Sequence, residues 1–212
     1  GWGTDTWGRS TWGSSFGLGV ATKLALWNQD NFGEDLLLNL RDGAIYYWDR
    51  SGGVAARAIN LTAISGAISA PTIAKQVMVS DNSRHVIAFG TNAIGSAAQD
   101  PLLIRFSSSE SLTDWAPTPT NSAGDLRIGS GSTFITAIEP KREVVVFTDR
   151  TVPSMQSLRA TFSCGIRPLS TGITIMGRNA AVAAEEAVLC VGQYFFCLYD
   201  GGTRQLPCMV TW

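Results

Sequence analysis

Short apolar runs, each closed off by Gly, Asn, Asp or Pro, recur from Ala25 onward, and no stretch holds a helical period for long. A chain punctuated in this way folds as strands joined by turns. Four hairpins stand out. Leu36–Leu40 and Ala44–Trp48 flank Arg41-Asp42-Gly43, and an Asp-Gly between apolar runs is a strong hairpin signal. His85–Phe89 pairs with Leu102–Phe106 across the turn-rich stretch Gly90–Asp100. Phe134–Ile138 pairs with Val144–Thr148 across Glu139-Pro140-Lys141-Arg142, and Ala187–Val191 with Phe195–Tyr199 across Gly192-Gln193.

The four units share a pattern. An apolar strand and a turn are followed by an aromatic-bearing strand ending in Asp or Ser, as in Tyr47-Trp48-Asp49, Arg105-Phe106-Ser107, Phe147-Thr148-Asp149 and Leu198-Tyr199-Asp200. They recur at intervals of roughly 40 to 60 residues, which bracket the length of one propeller blade. The expected fold is therefore all-β, a β-propeller-like array of short antiparallel hairpins or blades, complete or incomplete, with a β-sandwich as the alternative. Asn179–Val188 has helix-forming composition, but its Ala and Val run leads directly into a strand and reads equally as extended.

Residues 1–23 form a separate Trp/Gly-rich segment ahead of a β-rich region spanning 24–212. Trp2, Trp7 and Trp12 recur every five residues, each followed by Gly. Neither a helix nor a strand places every fifth residue on one face, so a chain of turns presenting indoles is expected. These indoles serve either as anchors at an interface or as an aromatic edge of the local core.

Charged residues make up 16% of the 212, and the net charge is −1. This lacks the clustered Lys and Arg of a nucleic-acid reader, while a weakly charged wall still suits a conduit that must not hold phosphates. No run of about 18 apolar residues is present, and no basic region precedes an apolar leader, so membrane insertion is not predicted. The start at Gly1 points to a processed chain or a segment of a longer protein. Cys164, Cys190, Cys197 and Cys208 match no metal-ligand spacing and read as small buried hydrophobes, with Cys197–Cys208 the conceivable disulfide.

Chemistry has few places to reside. His85 is the single histidine, and no GxSxG elbow supplies a nucleophile for it. Glu34, Asp35, Asp114, Asp125, Glu139 and Asp149 could in principle supply a glycosidase pair, but their turn contexts favour solvated, chain-bending roles. Asn60-Leu61-Thr62 fits a glycosylation acceptor, and Gly129-Ser130-Gly131-Ser132 is a turn without the Lys of a phosphate loop. No catalytic, cofactor-binding or metal-binding residue is assigned.

Several stretches, in order, resemble virion structural proteins of tailed bacteriophages, of the tail nozzle or tail-stabilisation type. They are 26–36 (LWNQDNFGEDL), 43–49 (GAIYYWD), 101–107 (PLLIRFS), 114–117 (DWAP), 121–126 (NSAGDL) and 199–201 (YDG). The stretch 107–115 also resembles, more loosely, the Asp-box turn of sialidase propellers, with Trp115 displaced by one position. The tail resemblance implies a non-enzymatic, propeller-like virion protein assembled in the host cytoplasm. It further implies a homo-oligomeric ring, a hexamer, below the portal and adaptor, with DNA only in passage and neighbouring tail proteins as partners. Trp27, Trp48 and Trp115 would then pack within blades, and Trp2, Trp7 and Trp12 would anchor interfaces. Nozzle proteins are usually much longer than this chain. Two rival readings are a carbohydrate-binding or glycan-cleaving module of a phage tail, and a cellular propeller that binds other proteins.

Overall fold

The computed structural model describes residues 25–141, 143–158, 163–171, 174–185 and 187–206. These form four antiparallel sheets of four strands, each a meander in chain order. The first contains β1 (Trp27–Phe32), β2 (Asp35–Leu40), β3 (Ile45–Trp48) and β4 (Ile59–Asn60). The second contains β5 (Gln76–Val79), β6 (Val86–Phe89), β7 (Leu103–Phe106) and β8 (Gly124–Arg127). The third contains β9 (Phe134–Ile138), β10 (Val144–Thr148), β11 (Thr151–Leu158) and β12 (Ser163–Thr171). The fourth contains β13 (Ala181–Ala184), β14 (Ala187–Val191), β15 (Phe196–Tyr199) and β16 (Thr203–Leu206).

Local chemistry explains the tight turns. Phe32 pairs with Asp35, leaving a two-residue loop, and Gly33 at its first position has φ +68°, a backbone that side chains other than glycine rarely adopt. All four predicted hairpins are present. In three sheets the hairpin joins the second and third strands, whereas in the third sheet it joins the first and second. That one-strand slip makes the sequence pattern irregular although the architecture repeats. The stretch around Asn179–Val188 is extended, as β13.

Each sheet stacks face to face on the next, so the interior consists of three seams rather than one core. Leu37 and Ile45 meet Val77, Val79, Val86 and Ala88 at the first seam. Met78, Ile87, Phe89 and Ile104 meet Phe134, Val144 and Val146 at the second, where the Phe89 and Phe134 rings stack 5.0 Å apart. Val145, Phe147 and Val152 meet Val188, Cys190, Cys197 and Tyr199 at the third. A two-sheet sandwich would bury a single layer between two faces. Four sheets with three successive seams are instead the stacking of a propeller-like array of blades.

Burial along each strand reports the strand's place in that stack. β6, β7 and β10, in the middle sheets, are buried at every position because both of their faces are covered. β14 alternates, with Val188 and Cys190 inside and Leu189 and Val191 outside, because the fourth sheet is covered on one face only.

Two expectations from the sequence need correction. Trp115 is fully buried at the first seam and Trp48 is partly buried, but Trp27 is 51% exposed and does not pack inside a blade. It begins β1 on the outward-alternating face and contacts Tyr46 at its edge. Cys190 and Cys197 are buried as expected, yet they are joined to each other as a disulfide. They are register partners across β14 and β15, and this pairing displaces Cys197–Cys208. Trp2, Trp7, Trp12 and Cys208 lie outside the described residues.

Phe89→Ala at the second seam is expected to destabilise the fold by about 3–5 kcal/mol, the cost of losing a buried aromatic ring. Tyr194→Ala, at a side chain 85% exposed, should cost well under 1 kcal/mol, because little buried area is lost; urea titration measures both.

Candidate interaction surfaces

The first strand of each sheet has an open backbone edge, and at β1, β5 and β9 polar side chains from other sheets bond to it. Asn28 on β1 donates from Nδ2 to the Val77 carbonyl at 2.6 Å and accepts the Val77 N–H at 3.2 Å. Asp30 accepts the Val79 N–H at 2.8 Å. Gln76 on β5 repeats the arrangement one sheet further on, donating to the Ala137 carbonyl at 2.8 Å and accepting the Ala137 N–H at 3.2 Å. Arg41 donates to the Ile135 carbonyl at 3.2 Å, and Arg178, just before β13, donates to the Trp27 carbonyl at 2.6 Å. An amide side chain can serve an N–H and a C=O of one residue together, so Asn and Gln can substitute for a missing strand.

Acidic groups meet beside these clamps. Glu139 accepts from the Ser80 hydroxyl, the Asp81 N–H and the Asn82 amide at 2.8, 3.0 and 3.2 Å. Burial pushes the carboxyls of both Glu139 and Asp30 above their ordinary range, with Asp81 adding to the push on each. Glu139 therefore departs from its expected role as a solvated turn residue. It sits at the end of β9 and ties the third sheet to the turn after β5.

The remaining candidates are dispersed. His85 is buried, its Nε2 lies 3.1 Å from the Ser122 hydroxyl, and its Nδ1 has no hydrogen-bond partner. Burial lowers its pKa, only partly opposed by the nearby Ser83 carbonyl. A nucleophilic array needs a carboxylate on the far nitrogen, and among the described residues none bonds there. Glu34 pairs with Arg50 in solvent, Asp35 accepts the Tyr47 hydroxyl, and Asp114 accepts the Asn121 amide. Asp125 lies on β8 opposite Arg105, and Asp149 caps the turn at Ser132 and Thr133. Asn60 accepts the Thr62 N–H and starts a 3-10 turn. Among the described residues, no three His, Cys, Asp or Glu side chains gather as a metal site, and no helix is long and apolar enough to cross a membrane.

Two weakly charged surfaces remain open. The first runs along the outer part of the first sheet, where residues 51–70 contain one charged side chain, Arg57. Val54 is 96% exposed and Ile68 56%, with Ile59 also exposed. Ile94 is exposed in the uncharged loop 90–99 between β6 and β7, where Asn92 accepts the Thr72 and Ile73 N–H groups ahead of β5. The second surface is the outer face of the fourth sheet. Composition pointed towards contact surfaces in general, but locating them required knowing which sheet faces lack a neighbour.

No family model and no curated protein matches the chain. A solved structure to which it is similar is that of Hsv2 from Kluyvelomyces marxianus, at 5% identity and a TM-score of 0.47. The match covers 85% of this chain and 49% of that one, so this chain spans about half the length of its structural neighbour.

Gln76→Leu is expected to destabilise the fold by about 1–3 kcal/mol, because it leaves the N–H and C=O of Ala137 unpaired beside a buried seam. Urea unfolding at pH 7 measures this. The raised carboxyls predict a pH effect of definite sign. Between the ordinary carboxylate range and the higher folded value, the native state holds more protons than the unfolded chain, so this contribution to stability falls as pH rises. Glu139→Gln removes the Glu139 part. Across urea titrations from pH 4.5 to 7.5, the variant should therefore gain stability relative to the parent chain.

Proposed function

We propose that this chain is a non-enzymatic structural component of a bacteriophage tail. In this reading it is a subunit of a homo-oligomeric ring of the nozzle type, forming part of the DNA-exit channel and docking neighbouring tail proteins. The observation that carries the reading is the stretch 51–70 after β3, which holds one charged residue and where Val54, Ile59 and Ile68 stand in solvent. Exposed apolar side chains in a stretch with almost no charge are the composition of a protein contact, since charge is depleted at interface centres. A ring built from one repeated heterologous contact needs a surface of this kind on every subunit.

The resemblance to tail proteins supports the same reading through its placement. Five of its six stretches fall on the β1–β2 hairpin, on β3, on β7, at the start of β8 and at the end of β15, and 114–117 lies in the connection between β7 and β8. The net charge of −1 suits a wall past which DNA slides without being held.

Reconstruction of intact particles by electron cryomicroscopy tests the assignment. Density as a symmetric ring on the tail axis is expected, whereas a peripheral position would favour glycan recognition instead. Val54→Glu combined with Ile68→Glu should leave the unfolding free energy within about 0.5 kcal/mol of the parent, as exposed substitutions do. The same double variant should reduce a ring to monomers in native mass spectrometry.

A further inference from the structure

The second strand of each sheet shows how the array is built, because successive residues of a strand point to opposite faces. On β6, Val86 and Ala88 face the sheet before, and Ile87 and Phe89 the sheet after. On β10, Val144 and Val146 face the sheet before, and Val145 and Phe147 the sheet after. Every seam thus joins the trailing face of one sheet to the leading face of the next. Two faces are left over. On β14 the seam takes Val188 and Cys190, which puts Leu189 and Val191 on the trailing face of the fourth sheet. On β2 the seam takes Leu37, which puts Leu36, Leu38 and Leu40 on the leading face of the first.

Both leftover faces are apolar. On the fourth sheet Val182 pairs with Leu189 and Val191 with Phe196, all between 36% and 59% exposed, and they border a cavity of about 320 Å³. On the first sheet Leu40 lies opposite Trp27, Leu38 opposite Tyr46 and Leu36 opposite Trp48, so a ridge of three leucines runs between aromatic rings. Gln29, Asn31 and Asn60 share that face, and none of these nine positions is charged. Within one chain the two faces do not cover each other, since Trp27, Leu189 and Val191 stay exposed. A face of four short strands measures roughly 20 by 15 Å, or about 300 Å² of flat area. A stable interface takes about 800 Å² from each partner, so contact beside the sheet face is also required. The weakly charged stretch 51–70 follows directly from β3 of the same first sheet.

We propose that the trailing face of the fourth sheet receives the leading face of the first sheet of a second copy. The Leu36, Leu38 and Leu40 ridge is set against Leu189, Val191 and Phe196, with residues 51–70 of that copy beside it. The contact repeats between copies the seam that already joins sheet to sheet within the chain. This inference rests on the reading that copies assemble into a ring, and it names the two unlike surfaces that a repeated heterologous contact needs.

Native mass spectrometry of the full chain tests the contact from both sides. One variant carries Leu189→Glu with Phe196→Glu, the other Trp27→Glu with Gln29→Glu, so each blocks one half of the seam. Alone, each is expected to lose every species above monomer while its urea midpoint matches the parent's. An equal mixture keeps one intact pair of faces and should recover a heterodimer and nothing larger. Assembly by either variant alone, or a mixture that stays monomeric, overturns this contact while an assembled parent keeps the ring reading. A monomeric parent overturns both. A second readout leaves the first sheet unaltered. The chain with p-benzoylphenylalanine at Leu189 is irradiated as an equal mixture of ¹⁵N-labelled and unlabelled protein. Cross-links between isotopes to residues 27–48 are expected, and their absence, or cross-links confined to one isotope, would also overturn the proposal.

Discussion

A face-stacked array of sheets leaves the first strand of every sheet with a row of backbone donors and acceptors that no strand can pair. An open edge of this kind, set against a buried seam, is costly unless something bonds to it. At β1, β5 and β9 this chain meets the requirement with side chains. Asn28 and Asp30 serve β5, Gln76 and Arg41 serve β9, and Arg178 serves β1. Each of these bonds crosses between sheets, so satisfying the edges also sets how neighbouring sheets are aligned. The apolar seams supply non-directional attraction, and the clamps select one alignment among the many that attraction alone would allow.

The same logic places the buried ionisable groups. Arg105 is enclosed and donates to the carbonyls of Ser69, Asn92 and Trp115, which fastens the long connections of the second sheet over its outer side. Glu143 accepts from the Ser154 and Tyr199 hydroxyls and links the third sheet to the fourth. Glu139 does the equivalent between the second and third. Glu139 and Glu143 are thus polar groups bonded across a seam, and Arg105 is enclosed among three carbonyl partners, which is the condition on which a buried charge is tolerated. Their perturbed environments therefore reflect a structural task.

Particular residues show how far the sequence could be read. The four hairpins were legible because alternation and turn chemistry are local, and Asp42-Gly43 and Gly192 mark places where a chain must reverse. Trp27 was not legible as an exposed residue. It lies on the outward face of β1, whereas Trp115, in the connection between β7 and β8, is buried at the first seam. Cys190 and Cys197 became partners through the register of β14 and β15, a pairing that spacing alone does not fix. Asn28, Gln76 and Glu139 passed as ordinary polar residues, since nothing near them in sequence announces an edge some fifty residues away.

By itself, then, the sequence determined an all-β chain, the hairpin in each sheet, a weakly charged surface and an aromatic segment ahead of the strands. These follow from composition and from interactions spanning a few residues. Tertiary structure alone decided which faces became seams, which polar side chains became clamps, and where the apolar surface stayed open. Those outcomes depend on the order in which whole sheets stack. Identical alternation serves a covered face and an uncovered one, so only the presence or absence of the next sheet distinguishes core from contact surface.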